Sequence, residues 1–253
     1  MNSISVKILN QLKDNYSFIL FNQNKDACVI DPADSYPIIE YVNKYSLKIK
    51  DILITHHHKD HTSGAEGIIK IFPNVNIHSP SSHIKYTRFV LRNNDQIETA
   101  INTFKIISTP GHTLDHIIYL DNSHKILFCG DTLFRLGCGR VFEGTLNQMF
   151  SSLQKINEFE DNLKVYCGHE YTLNNLKFLE SILNKKELFS SIRQKIEEDL
   201  KLSKKSVPFY LNEEKPYNLF LNQESEIGDS IKQHLRLKNF GLFQYLREKK
   251  DNF

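Results

Sequence analysis

Four histidines fall within six positions of this chain, in Thr55-His56-His57-His58-Lys59-Asp60-His61, directly after the apolar run DILIT. Three later apolar runs end in the same way: His112 follows FKIISTPG, Asp131 follows KILFCG, and His169 follows LKVYCG. Imidazole and carboxylate are ligands of divalent metal ions. Rigid strands of a layered fold place the residues at their ends toward one shared edge. Four strand ends that each deliver His or Asp therefore read as one metal site built from scattered segments. The isolated His78, His83, His124 and His234 read as surface or hydrogen-bonded residues.

The number of donors bears on the number of ions. His56, His58, Asp60, His61, His112, Asp131 and His169 exceed the three protein ligands and one water of a mononuclear catalytic zinc. Two ions sharing a bridging carboxylate use all seven. His56 and His58 lie two apart, so an extended backbone turns both to one side, and Asp60 and His61 follow within reach of a second ion about 3.5–4 Å away. His57 points the other way and is expected to be structural.

The elements that must position these residues are legible from periodicity. Strand-like runs at 16–21, 27–31, 50–54, 74–78, 104–108, 116–120, 125–129 and 163–167 alternate with helical stretches. Pro37 is a first-turn proline, and Ser63 with Glu66 and Thr145 with Gln148 have the spacing of capping boxes. After about residue 172 the pattern turns helical, in 176–202, 225–238 and 240–250, around a proline-bearing connector. The expectation is an α+β layered domain followed by a small helical domain.

Composition removes other classes. The 253 residues hold 32 Lys+Arg against 30 Asp+Glu, and 40% are hydrophobic, as in ordinary globular chains. The near-neutral balance argues against nucleic acid as a partner, and no apolar stretch reaches the length of a membrane span. The first residues lack a secretory leader, so a cytoplasmic protein is expected. Cys28, Cys129, Cys138 and Cys167 are far apart, which indicates neither a zinc ribbon nor a disulfide framework.

With these segments in view the chain resembles the metallo-β-lactamase superfamily and, within it, the glyoxalase II family. The motifs are Asp14-Asn15-Tyr16, THHHKDHTSG at 55–64, TPGHTLDH at 109–116, GDTLF at 130–134, GCGRVFEGT at 137–145, YCGHEYTLNNLKF at 166–178 and RxxKDxF at 247–253. The resemblance implies a four-layered αββα sandwich over residues 1–171, the catalytic domain, and a helical substrate-binding domain over 172–253. It implies two divalent metal ions, zinc first with iron or manganese as alternatives. One ion takes His56, His58 and His112, the other takes Asp60, His61 and His169, and Asp131 bridges them. It implies hydrolysis of the thioester S-D-lactoylglutathione to D-lactate and glutathione, the second step of methylglyoxal detoxification, by a monomer. Arg140, Phe142, Tyr171, Arg247 and Lys250 match positions that hold the glutathione part. Phe142 stands where relatives carry Tyr, so a hydroxyl contact is absent. Ala33 and Asp115 stand where Gly is common, and Asp115 adds a carboxylate near the site.

With the substrate that the resemblance implies, the residues suggest a chemistry. Two cations lower the pKa of a bridging water from 15.7 toward about 7, and the hydroxide attacks the thioester carbonyl, whose developing charge is stabilised electrostatically. A thiol of pKa about 8.5 leaves as its anion, so no dedicated acid is required. Arg247 and Lys250, three apart on a helical run, form an anion clamp for the carboxylates of glutathione. A nuclease of the same superfamily is disfavoured by the charge balance. A non-catalytic metal scaffold is disfavoured by the full ligand set, and a flavin-linked diiron reductase by the helical tail.

Overall fold

The computed structural model describes residues 4–183 and 186–253. The helical run at 176–202 thus includes residues 184 and 185, which lie outside the described residues. The Cα positions gather into two compact units, Met1–Ser108 with Asp115–Gly130, and Thr109–Leu114 with Asp131–Phe253.

The first unit is built on a six-stranded sheet. Strands β1 (Ser5–Gln11), β2 (Asn15–Phe21) and β3 (Asp26–Ile30) run antiparallel. Strands β4 (Lys48–Leu53), β5 (Asn76–Ser79) and β6 (Phe89–Val90) then add in parallel. Parallel neighbours need crossovers. Helix α1 (Ser35–Tyr45) joins β3 to β4, and α2 (Lys59–Thr62) with α3 (Ala65–Ile71) joins β4 to β5. Ile38 and Val42 of α1 and Ile68 of α3 enter one core with Ile19, Val29, Ile52 and Ile77 of the strands. Asp34 caps α1 by accepting the amide of Tyr36, which leaves Pro37 in the first turn.

Strands β7 (Gln96–Glu98), β8 (Thr103–Ser108), β9 (Ile117–Asp121) and β10 (Ile126–Gly130) form a second antiparallel layer. Phe18 of β2 lies 5.2 Å from Phe128 of β10, and the Tyr119 hydroxyl of β9 donates to the Ile54 carbonyl at 2.7 Å. Coverage on both faces explains why β2 reads as a continuous apolar run rather than an alternating one.

The second unit holds the short hairpin β11 (Leu133–Phe134) and β12 (Gly137–Cys138), helix α4 (Leu146–Asn157), strand β13 (Lys164–Cys167) and helices α5 (Thr172–Leu183) and α6 (Ser190–Ser203). Strand β14 (Phe209–Tyr210), α7 (Leu211–Glu214), α8 (Glu226–Leu235) and α9 (Asn239–Asp251) follow. Phe220 packs between Phe178 of α5 and Phe243 of α9, at 6.1 and 6.3 Å, and Phe150 of α4 meets Phe243 at 5.5 Å.

The two capping boxes diverge. Thr145 and Gln148 form both reciprocal bonds at the start of α4. Ser63 and Glu66 form none: α3 starts at Ala65 behind Gly64, whose amide bonds the Pro32 carbonyl at 2.8 Å, and Glu66 turns to Lys70 and Lys85. The proline-bearing connector contains β14, which pairs with β13 through Val165 and Phe209. Among the described residues no helix is long and apolar enough to cross a membrane.

Candidate metal centre

In the first unit the donors cluster where β4 ends. His58 keeps extended backbone as the residue before α2, and Asp60 and His61 lie in that one-turn helix. The His56 ring lies 4.7 Å from that of His58 and 4.2 Å from that of His61, and His61 Nε2 is 3.7 Å from Asp60 Oδ2. Asn15 holds the Asp60 carboxylate through Nδ2 at 2.9 Å. His57 turns away, as its alternation requires, and its Nδ1 donates to Asp115 at 3.0 Å. The carboxylate that Asp115 adds is thus partnered by His57.

One buried carboxylate organises two of these imidazoles. Asp31 accepts the Thr55 amide at 2.8 Å, the Thr55 hydroxyl at 2.7 Å and His61 Nδ1 at 3.0 Å. The Thr55 hydroxyl spends its proton on Asp31, so its oxygen accepts from His56 Nδ1 at 3.0 Å. Both rings carry their proton on Nδ1 and present Nε2 as the basic nitrogen, the arrangement that a carboxylate imposes on a metal-binding histidine. His116 stacks on His56 at 4.8 Å. Gly130, at φ 46, leaves room there, since a Cβ would meet Thr55 Oγ1 at 2.5 Å and His116 Nε2 at 2.8 Å.

In the second unit Asp131 stands between two imidazoles. Its Oδ2 is 3.4 Å from His112 Nε2 and 3.3 Å from His169 Nε2, and all three side chains are buried. His112 Nδ1 donates to the Arg140 carbonyl at 2.8 Å, so its Nε2 is also the basic nitrogen. The His112 carbonyl accepts the amides of Phe142 and Glu143, and Ser152 of α4 ties down the Pro110 carbonyl at 2.8 Å. Tyr171 stacks on the His169 ring at 4.8 Å, and Phe142 meets the His112 ring edge-on at 5.2 Å.

Cations gather at the end of α9. Arg140 is 57% exposed and reaches Asp251 at 3.5 Å. Arg247 is only 5% exposed: it donates to the Cys138 carbonyl at 3.2 Å and to Asp251 at 2.7 Å, over the face of Phe220. Lys250 bonds the Asn174 carbonyl at 3.2 Å. Burial, and then the charge of Arg247, brings the Lys250 ammonium down to about 8. Arg140 and Arg247 therefore share the carboxylate of Asp251, a relationship that residue spacing alone does not reveal.

The donor set suits divalent ions. It offers carboxylates and imidazoles, and those of His56, His61 and His112 have Nδ1 engaged in a hydrogen bond. All four cysteines are buried and free, and burial pushes the thiols of Cys28, Cys138 and Cys167 up, away from thiolate. Asp31, Thr55 and His116 were not among the residues expected from sequence. Asp31 closes the apolar run ACVI as Asp131 closes KILFCG, so the strand-end criterion applies to both.

The model of the metallo-β-lactamase superfamily matches residues 14–169, and that of the hydroxyacylglutathione hydrolase C-terminus matches residues 170–253. The hydroxyacylglutathione hydrolase of Citrobacter koseri is 37% identical over 244 residues, covering 95% of this chain and 96% of that protein. Among solved structures, ETHE1 from Myxococcus xanthus aligns over 98% of this chain and 100% of its own, with TM-score 0.67 and 21% identity. TTHA1623, solved in a di-iron-bound form, aligns over 66% of this chain and 92% of its own, with TM-score 0.56 and 19% identity. These two likenesses concern the fold, an α+β metallo-β-lactamase fold followed here by a helical region.

Proposed function

Because the chain belongs to the hydroxyacylglutathione hydrolases of the metallo-β-lactamase superfamily, we propose that its seven donors form one dinuclear centre that hydrolyses S-D-lactoylglutathione to D-lactate and glutathione. The chain is an enzyme, a thioester hydrolase, and its substrate is a small glutathione conjugate. In this reading His56, His58 and His112 would hold one ion, Asp60, His61 and His169 the other, and Asp131 would serve both. The observation that carries it is Asp131 Oδ2 lying within 3.4 Å of both His112 Nε2 and His169 Nε2, as a shared carboxylate must.

When bound, two divalent cations supply Lewis acidity, which makes hydroxide available near neutral pH and offsets charge developing on the thioester carbonyl. The protein's part is to hold the donors ready. Asp31, directly for His61 and through Thr55 for His56, holds Nδ1 in a hydrogen bond so that Nε2 is the nitrogen left to face an ion, and the Arg140 carbonyl does the same for His112. Fixed donors need no reorganisation when charge appears, which is the main electrostatic advantage of an enclosed site. The leaving thiol has an ordinary pKa of about 8.5, so its departure needs no donated proton.

Arg140, Arg247 and Lys250 supply positive charge for the two carboxylates of glutathione, with Tyr171 and Phe142 beside them as apolar walls. Substrate carboxylates then compete with Asp251 for Arg140. Residues 1–171 serve as the catalytic domain and 172–253 as the substrate-binding domain. Zinc is the first choice of metal, with iron or manganese as alternatives that the same donors accept. Family membership also underlies the reading of the chain as a cytoplasmic monomer.

The test is turnover by the purified protein. Loss of S-D-lactoylglutathione is expected, with no nucleotide release from RNA or DNA. Nucleotide release with thioester hydrolysis at background would replace this function with that of a nuclease.

A further inference from the structure

We propose that Glu214 and Asn218, two side chains of the helical region, are positioning residues for His112 and Arg140, acting through the buried segment 134–139 that leads to Arg140. The inference rests on the reading of His112 as a metal ligand and extends that reading to a part of the chain with no donor of its own.

The β11–β12 hairpin cannot hold its shape alone. Each strand has two residues, and Phe134 pairs with Gly137 across the turn residues Arg135 and Leu136. Leu136 has φ 60, a left-handed conformation at the second turn position, where glycine is the usual residue. Turns of this kind also splay the strands rather than follow their twist. Strain at such a point persists only where the surroundings impose it.

Here the surroundings are two fully buried side chains. Glu214 Oε1 accepts the Leu136 amide, the N–H of the strained residue itself, and also Asn218 Nδ2 at 2.9 Å. Asn218 Nδ2 further donates to the carbonyls of Phe134 at 3.2 Å and Gly137 at 3.0 Å, on either side of the turn. Its Oδ1 accepts the amides of Phe220 and Leu221, so both ends of the amide are committed and its orientation is determined. Carboxylate and amide together grip three of the turn's four residues, Phe134, Leu136 and Gly137.

What the turn delivers is the donor geometry. Gly139 follows it so closely against Asp131 that a Cβ would lie 1.9 Å from the Asp131 carbonyl oxygen and 3.2 Å from His112 Nδ1. The next residue, Arg140, offers the carbonyl that accepts from His112 Nδ1 at 2.8 Å. Four residues after the gripped amide of Leu136, then, the chain sets the ring of a metal ligand and the origin of a substrate-facing guanidinium. If the grip is released, Leu136 leaves its left-handed conformation and the Arg140 carbonyl moves with it. Mutation of groups that orient a ligand typically costs ten- to hundred-fold in metal affinity.

The experiment compares full-length Asn218→Ala, Glu214→Ala and Glu214→Gln with Phe189→Ala, a core truncation elsewhere in the helical region. Far-UV circular dichroism and melting report folding. Titration with Zn(II) against a chromophoric competitor reports affinity for the metal alone, and hydrolysis kinetics report kcat and KM. The expected result is folded Asn218→Ala and Glu214→Ala that bind the weaker of two zinc ions ten- to hundred-fold less tightly and show a raised KM. Glu214→Gln, whose amide oxygen accepts the same two bonds, stays within about threefold of the wild type. Phe189→Ala, although destabilised, keeps its zinc affinity. Unchanged zinc affinity in the two folded alanine variants, or an equal loss in Phe189→Ala, overturns the proposal. So does failure of both alanine variants to fold while Phe189→Ala folds, since the two residues then carry the fold itself. Wild-type protein that binds zinc but leaves the thioester intact counts against the function alone, because zinc affinity is read without substrate.

Discussion

His61 Nδ1 donates to Asp31 across 3.0 Å, and the carboxylate oxygen that receives it also takes the Thr55 hydroxyl on which His56 Nδ1 rests. One carboxylate thus determines the tautomer of two imidazoles. Asp31→Asn leaves the backbone undisturbed, because Asn tolerates the φ of 47 found there as well as Asp does. It cannot accept three donors with the same strength. We expect a folded protein whose zinc affinity falls by roughly ten- to hundred-fold in a competitive titration. Wild-type affinity in that variant would show that the tautomers are set elsewhere.

Glu214 makes stability depend on pH in an unusual direction. Burial raises its carboxyl to about 7, and the Leu136 amide and the Arg135 charge only partly offset this. The folded state therefore binds the proton more tightly than the unfolded chain, where a glutamate titrates near 4.3. The contribution is complete below about pH 4.3 and is lost as pH rises through 7, by something on the order of 3 kcal/mol. Urea unfolding of the metal-free protein should show stability falling from pH 5 to 7.5 relative to Glu214→Gln, which has no proton to lose. Parallel profiles for the two proteins would refute the assignment.

Lys250 makes substrate capture depend on pH. With its ammonium lowered to about 8 by burial and by Arg247, the positive charge is present below that pH and absent above it. The quantity that reports the free enzyme is kcat/KM, and it should fall as pH rises through 8, mainly through KM. Lys250→Arg keeps its charge throughout, so the fall should vanish. A descent that persists in the arginine variant would trace it to another group.

Arg247→Ala is expected to have two effects. KM should rise because a cation is lost. The melting temperature should also drop, because the Cys138 carbonyl and the Asp251 carboxylate lose a buried, charged donor whose removal costs about 1–3 kcal/mol. Calorimetry alongside kinetics separates the two. A change in KM with no change in melting would mean that the buried contacts are energetically idle.

The grouping of His56, His58, Asp60 and His61, and of His112, Asp131 and His169, was legible in the sequence because strands are rigid: an imidazole or carboxylate within a few residues of an apolar run has little freedom in where it ends up. The capping box at Thr145 was legible for the same reason, since both partners lie within one turn. The matching spacing at Ser63 and Glu66 failed because a tertiary bond, Gly64 to Pro32, shifted the helix start, and two lysines claimed the carboxylate. Asp31 also meets the strand-end criterion, but its role rests on contacts with a loop more than twenty residues away, which spacing does not show. Glu214 and Asn218 lie in a polar connector whose charges read as solvated, and only the packed structure reveals that both are buried.

In the proposed centre Asp131 is shared by two metal ions required for turnover. Metal content by elemental analysis, read together with hydrolysis of S-D-lactoylglutathione, tests it in wild type and in Asp131→Ala. Two ions per chain and turnover are expected in the wild type, and at most one ion with near-complete loss of kcat in a folded variant. Undiminished turnover in Asp131→Ala would contradict it.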